Sequence, residues 1–378
     1  MPSNRQVHRS LVVGAAAGVA ATAVSAAGTV AAATYFARKV LTPDRLRPDD
    51  TQVLLIEDDS LTLGLTPVSA QPGRYGLWLD GGQGHARVGA VLEVDEAARW
   101  VRRVLEGVDF GELHVGPARW NQYYFAGDAQ EALGLKSLDV EIPAEIGMLA
   151  AWKVPAVEGV TGRWAILVHG RGAQRGECLR AVPVLHDLGF TALIPSYRND
   201  IGAPSSSDGR YSLGLSEWRD LEAAILYAVE NGAQEIVLFG YSMGAAIILQ
   251  TLDRSWLSDR VSAVVLDAPV IDWSDVLRHH GALNKIPGPV GRLSRSLIGR
   301  RWARRLVGVH EPIDVALTNW EHRASYLTHP TLLIHSLDFE FVPVGPSLSL
   351  ADLRPDLVRF EPWRDPRRPQ GWNTVPER

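Results

Sequence analysis

The sequence holds one cysteine among its 378 residues, Cys178, so no disulfide can form within the chain, and cysteine usage leaves the compartment open. Charge of either sign is not in excess: 38 Lys and Arg stand against 43 Asp and Glu. That balance excludes a nucleic-acid binder, which would present a strongly basic face to phosphates. A phosphate-binding loop is also lacking. Gly81-Gly82-Gln83-Gly84-His85 has the glycines but not the Lys-Ser/Thr ending or a following helix, so it reads as a hairpin turn. No motif implies a metal or an organic cofactor. What is present is 46% hydrophobic residues in a chain long enough for two domains and a large core.

Charge is missing altogether from Leu11 to Phe36, a stretch rich in Ala, Val, Gly, Ser and Thr and poor in Leu, Ile and Phe. Its length suits a single bilayer span, and residues 1–40 read as an uncleaved transmembrane signal anchor. A cleaved signal peptide and a soluble Ala-rich helix remain alternatives. Gly14 and Gly18 frame a small-xxx-small face of the kind that pairs helices. Arg5 and Arg9 precede the stretch, and Arg38, Lys39, Arg45 and Arg47 follow it, which leans toward a cytoplasmic body. The expected localisation is therefore a single-pass membrane protein with membrane lipid as a partner. Residues 41–50, with Pro43 and Pro48, read as a linker.

Residues 51–155 read as a β-rich accessory domain. Val53–Ile56, Leu61–Leu65 and Tyr75–Leu79 are short strand patterns parted by Gly, Pro and Asp. Asp95 reads as an N-cap for a helix with Ala97, Trp100, Val101, Val104 and Leu105 on one face, ended by Gly107. Trp120, Tyr123, Tyr124 and Phe125 form an aromatic cluster suited to core packing or to lining a cleft.

From Arg163 the pattern alternates strand and helix, with strands at Trp164–Val168, Thr191–Pro195, Glu235–Phe239, Val261–Leu266, Thr331–Ile334 and Leu357–Phe360. Apolar strands alternating with helices predict a mostly parallel sheet with helices on both faces. Within it, Gly240-Tyr241-Ser242-Met243-Gly244 lies between a buried strand and a buried helix. Strand, G-x-S-x-G, helix is the context of a nucleophile elbow, in which a strained turn projects the serine above the sheet.

His169-Gly170-Arg171-Gly172 directly follows the first of these strands. With Gly240 and Gly244 around Ser242, the chain resembles the α/β-hydrolase fold superfamily, especially its prolyl-oligopeptidase-like and dienelactone-hydrolase-like serine esterase and peptidase branches. The resemblance covers the chain from about Arg163 to the C-terminus, within a domain drawn at residues 156–378. It implies that Ser242 is the nucleophile and that the backbone N–H groups of Arg171 and Met243 form the oxyanion hole. Two preorganised amides would then face the oxygen on which acyl transfer develops charge.

The chain departs from the family where the acid and base should stand. The acid loop reads His335-Ser336-Leu337-Asp338-Phe339-Glu340-Phe341-Val342-Pro343, with Phe339 in the acid's register, so Asp338 is the substitute and Asp267 a second candidate. No histidine follows His335, and Arg368 occupies the expected position; an arginine stays protonated and cannot act as a base. His279 and His280 are surrogates. The chain also ends without the family's closing helix. Between Pro289 and Val309 an Arg-rich amphipathic cap helix is expected, with Leu293, Leu297, Ile298, Trp302 and Leu306 on its apolar face, over the pocket or on anionic headgroups. Two functions follow: a membrane-anchored serine hydrolase of a small-molecule or peptide ester or amide, or a degraded hydrolase fold used as a binding module.

Overall fold

A computed structural model of the chain describes residues 27–43, 48–337 and 341–363. Its first element is a helix, α1 (27–41). Ala33, Ala37 and Leu41 recur at intervals of four, so they share one face, and all three are fully buried in the same core as the Ser242 helix. Among the described residues no helix is long and apolar enough to cross a membrane. Residues 1–26, the greater part of the expected span, lie outside the described residues. Of the remainder, residues 27–32 are not buried, and from Ala33 onward the alanine face lets the α1 backbone seat against the protein body.

Residues 51–121 form a closed six-stranded barrel in the order β1-β2-β5-β4-β3-β6. Its strands are β1 (Thr51–Ile56), β2 (Ser60–Gly64), β3 (Tyr75–Leu79), β4 (Gly84–Asp95), β5 (Trp100–Phe110) and β6 (Gly116–Asn121). Closure leaves no open sheet edge. The Gly81–Gly84 turn joins β3 to its antiparallel partner β4, as the hairpin reading expects. The helix expected over 95–107 is a correction. Asp95 does cap, accepting the Ala98 N–H at 2.7 Å, but it caps a tight turn. Arg99 then takes φ of 61°, which ends any helix, and Val101 and Arg103 point inward with period two. Pairing with β4 and β2 overrides the helical spacing of the apolar residues.

Beyond the barrel come a one-turn helix, α2 (Ala129–Leu133), and an eight-stranded sheet in the order β14-β13-β12-β11-β9-β10-β8-β7. Residues 138–154, placed by the sequence pattern within the accessory domain, form instead a hairpin of β7 (Leu138–Ala144) and β8 (Gly147–Val154) that extends this sheet, β8 pairing antiparallel to β10. The other six strands run parallel: β9 (Arg163–Val168), β10 (Thr191–Pro195), β11 (Glu235–Tyr241), β12 (Val261–Asp267), β13 (Thr331–Ser336) and β14 (Val358–Trp363). They are connected through α3 (Val182–Asp187), α4 (Trp218–Glu230), α5 (Met243–Arg254), α6 (Trp273–Leu283), α7 (Gly288–Ile298), α8 (Arg304–Val307) and α9 (Gly345–Leu353).

Two features of this topology position the site. From β9 the chain goes to β10 on one side and then crosses to β11 on the other, so the carboxyl ends of β9 and β11 face a topological switch point, where such sheets bind ligands. The expected single cap helix is two pieces: α7 closes at Gly299, Arg300 is extended, and α8 is a single turn. Leu297 and Ile298 are buried, whereas Trp302 is 69% exposed.

Candidate active site

Ser242 joins β11 to α5 at φ 49° and ψ −110°, a region that non-glycine residues enter only under strain of about 1–3 kcal/mol. The surroundings enforce it. A Cβ on Gly240 would stand 2.7 Å from the Ala245 nitrogen, and one on Gly244 would stand 2.1 Å from the Val168 carbonyl oxygen. Gly240 thus lets α5 fold back closely on β11, and Gly244 lets it pack directly on the end of β9. The loop after β12 bolts the turn down: the Ser242 N–H donates to the Asp267 carbonyl at 3.0 Å, and the Val270 N–H donates to the Ser242 carbonyl at 3.2 Å.

The loop at the end of β9 lies against this turn. A Cβ on Gly170 would be 3.2 Å from the Ser242 Cβ, a tight contact that glycine spares the serine. The Gly170 N–H is turned away and donates to Glu177 Oε2 at 2.6 Å; Glu177 is buried and receives Arg180 at 3.0 Å. The next amide is that of Arg171. Met243 is the first residue of α5, so its N–H has no acceptor within the helix and lies at the positive end of the helix dipole. The structure therefore brings together Ser242, Gly170, Arg171, Met243, Gly240 and Gly244.

His169 is fully buried and supports the loop without reaching toward substrate. Its Nε2 meets Asp200 Oδ2 at 2.9 Å, its Nδ1 meets the Gly170 carbonyl at 3.0 Å, and its ring stacks on Tyr197 at 4.4 Å. Burial acts to lower its pKa, but the charge and hydrogen bond of Asp200 outweigh it and raise the value. Both ring nitrogens face acceptors, as an imidazolium requires. The Tyr197 hydroxyl adds a bond to the Gly170 carbonyl at 3.1 Å.

Arg171 has a second role that its motif does not announce. Its guanidinium reaches the C-terminal end of α1, donating to the carbonyls of Val40 at 3.0 Å, Lys39 at 3.2 Å and Thr42 at 2.9 Å. These carbonyls have no helical partners of their own, and a cation suits that end of the dipole. Tyr211 makes a parallel link: its N–H donates to the Leu41 carbonyl at 2.8 Å and its hydroxyl accepts the Gly172 N–H at 3.2 Å.

No histidine hydrogen-bonds to the Ser242 hydroxyl among the described residues. Asp338, Phe339, Glu340 and Arg368 lie outside them, so the expected acid is not placed. Asp267 ends β12 and serves the site through its carbonyl. His335 is buried between Ser347 at 2.8 Å and the Val342 carbonyl at 3.1 Å, and burial drives its pKa down to about 4. His280, on α6, bonds the Phe341 carbonyl at 2.8 Å. Burial lowers its pKa despite that bond, helped by His279 and Arg171, so it is neutral at pH 7. With Arg171 it lines a cavity of about 230 Å³ between α1, α6 and α7.

The aromatic cluster divides its work. Trp120 closes the barrel core, and the Tyr124 hydroxyl is held by the Glu106 carboxylate. Trp120, Tyr123 and Phe125 also line a second cavity, of about 380 Å³, that reaches Gly172 and Gln174. Among the described residues no three His, Cys, Asp or Glu side chains gather as a metal would need. Sequence reasoning missed Glu177, Asp200 and Tyr197, which carry no motif and converge only through the fold.

A family model described as the alpha/beta hydrolase family matches residues 165–376, and one described as a domain of unknown function (DUF8805) matches residues 52–121. No curated protein matches the chain. Among solved structures, an esterase from Pyrococcus furiosus is similar with a TM-score of 0.51 and 17% identity, over 67% of this chain and 90% of that one. An acetyl xylan esterase from Paenibacillus sp. R4 has a TM-score of 0.46 and 14% identity, over 61% and 81% of the two chains.

Proposed function

The chain belongs to the alpha/beta hydrolase family, and on that premise we propose that it is a serine hydrolase that cleaves an ester or amide through an acyl-enzyme on Ser242. The observation that carries this reading is the strained turn at Ser242, held by two glycines that cannot be replaced and faced by the Gly170 loop. The Ser242 oxygen attacks the substrate carbonyl and gives its proton to a base. The N–H groups of Arg171 and Met243 take the developing oxyanion, and the protonated base hands its proton to the leaving group. Water then repeats the sequence on the acyl-enzyme and frees the serine.

The candidate base in this reading is His280 of α6, which burial keeps neutral and which shares a cavity with Arg171, the residue after Gly170. Ester hydrolysis at neutral pH tests it. Ser242→Ala should abolish turnover, and His280→Ala should lower kcat by about 10²–10⁴, the range of general-base catalysis. Turnover unaffected by Ser242→Ala would overturn the proposal. A second reading is favoured by one observation: among the described residues no imidazole bonds the Ser242 hydroxyl. It is a hydrolase fold that binds without turning over. Hydrolysis that appears only in the Phe339→Asp, Arg368→His double variant would establish it.

Attachment to a membrane belongs to the proposal. The first α1 residue fully buried in the core is Ala33, which leaves Leu11–Ala31 as an uncharged stretch of about twenty residues, the length of a span. The exposed Trp302, beside Arg301 and Arg304, lies near the end of α1, since Arg38 donates to the Leu306 carbonyl at 2.6 Å. An aromatic ring among arginines suits a headgroup layer.

A further inference from the structure

The cavity between α1, α6 and α7 has a composition that selects its ligand, and what it selects rests on the hydrolase reading of the neighbouring serine. One wall is α1, through Phe36 and Val40; the facing wall is α6, through Val276 and Leu277. An elongated apolar group fits between them. The cations are Lys39, Arg171 and Arg295, and no Asp or Glu is among the lining residues. Arg171 is occupied by the end of α1. Lys39 and Arg295 make no ion pair among the described residues. Arg295 is half-buried, and burial together with the nearby Arg278 and Arg292 lowers its pKa. Like charges gathered beside an apolar cleft destabilise one another until an anion joins them.

We propose that this cavity binds an anionic amphiphile, its alkyl chain lying on Phe36, Val40, Val276 and Leu277 and its carboxylate or phosphate group held by Lys39 and Arg295. Helix α1 is then a wall of this amphiphile site as well as the approach to the membrane. Arg171 connects the two, since its side chain is at the cavity and its backbone is in the loop beside Ser242.

The test uses the full chain carrying Ser242→Ala, reconstituted in lipid nanodiscs and irradiated with a diazirine-bearing dodecanoate. Adducts are expected in peptides covering residues 36–40 and 273–286. Excess dodecanoate or dodecyl phosphate should suppress them, the better competitor identifying the anion, while dodecanol and dodecyltrimethylammonium at the same concentration should not. Arg295→Glu, with its melting temperature checked, should reduce the adducts at least fivefold. Adducts elsewhere, equal suppression by all four competitors, or an unchanged yield in Arg295→Glu would overturn the proposal. Because the nucleophile is absent, binding is read apart from hydrolysis. Cross-linking without turnover by the natural chain upholds the cavity and sinks the hydrolase, and turnover without cross-linking does the reverse.

Discussion

The Arg171 Nε–H lies 3.0 Å from the Val40 carbonyl oxygen, joining residues 131 positions apart in sequence. Arg171 thereby follows Gly170 in the loop that lies against Ser242 and has a side chain that fastens the first described helix. Arg171→Ala keeps the amide and removes the fastening. It should loosen α1 by about 2–3 kcal/mol, the scale of charge-assisted hydrogen bonds, and expose residues 27–43 to protease. Arg171→Lys should restore only part, because an ammonium lacks the fork that reaches three carbonyls. Limited proteolysis with kcat/KM on the same samples checks whether the loop weakens along with the helix.

Gly244 separates a steric requirement from a mere preference for glycine. An added Cβ meets the Val168 carbonyl at 2.1 Å, and backbone cannot step aside, so Gly244→Ala should cost about 3 kcal/mol or more, or prevent folding. Gly281 lies within α6 with open space around its Cβ position. There Gly281→Ala should stabilise by about 0.5–1 kcal/mol through helix propensity. Thermal unfolding of the two variants should move in opposite directions.

Arg103 is an arginine in the barrel core with no exposure and, among the described residues, no carboxylate partner. Its guanidinium instead serves the carbonyls of Ser69, Gln71, Gly73 and Gly89, between the rings of Tyr75 and Trp120 at 5.2 Å each. Burial lowers its pKa to about 10, so it is charged at pH 7. Arg103→Met should leave those carbonyls buried without donors and lower barrel stability by about 3–5 kcal/mol. Arg103→Lys should rescue little, three donors being too few for four acceptors. Denaturant unfolding followed by tryptophan fluorescence measures both.

His169 makes stability depend on pH in a direction that can be stated. Its native pKa is raised by Asp200 in spite of burial, so the folded state holds this proton more tightly than the unfolded chain, where histidine titrates near 6.5. The stability it contributes is fully present below about 6.5 and is lost as pH rises through the higher native value. Asp200→Asn should reverse that slope, since burial alone lowers the imidazole pKa, and should destabilise by about 3–5 kcal/mol through loss of the counter-charge. Unfolding free energies across pH 5–9 for both proteins check the sign.

The part of this molecule legible in the sequence is the part written in local pattern. Tyr75–Leu79, between Arg74 and Asp80, and Thr191–Pro195, opened just after Gly189 and closed by its own proline, are legible to the residue because short apolar runs so punctuated have few other uses. The elbow was legible because a tight strand-to-helix turn demands glycine on both sides. Residues 95–107 misled because their apolar spacing fits a helix as well as a twisted strand, and only barrel closure decides between them. The hairpin β7–β8 has no local mark of which sheet it extends. Glu177, Asp200 and Tyr197 support the site from separate loops, so nothing in their neighbourhoods signals a shared task. The docking of α1 was hidden in the same way: an alanine stripe reads equally as a lipid-facing or a packing surface until its partner is known.

The central claim, that Ser242 is a reactive nucleophile at the switch point of the sheet, is tested most directly by treating the full chain with a fluorophosphonate probe and mapping the adduct by mass spectrometry. The account predicts one phosphonyl group, on Ser242, absent in Ser242→Ala and slower to form in His280→Ala. Folded protein that stays unlabelled at Ser242, or that is labelled equally after the serine is removed, would contradict it.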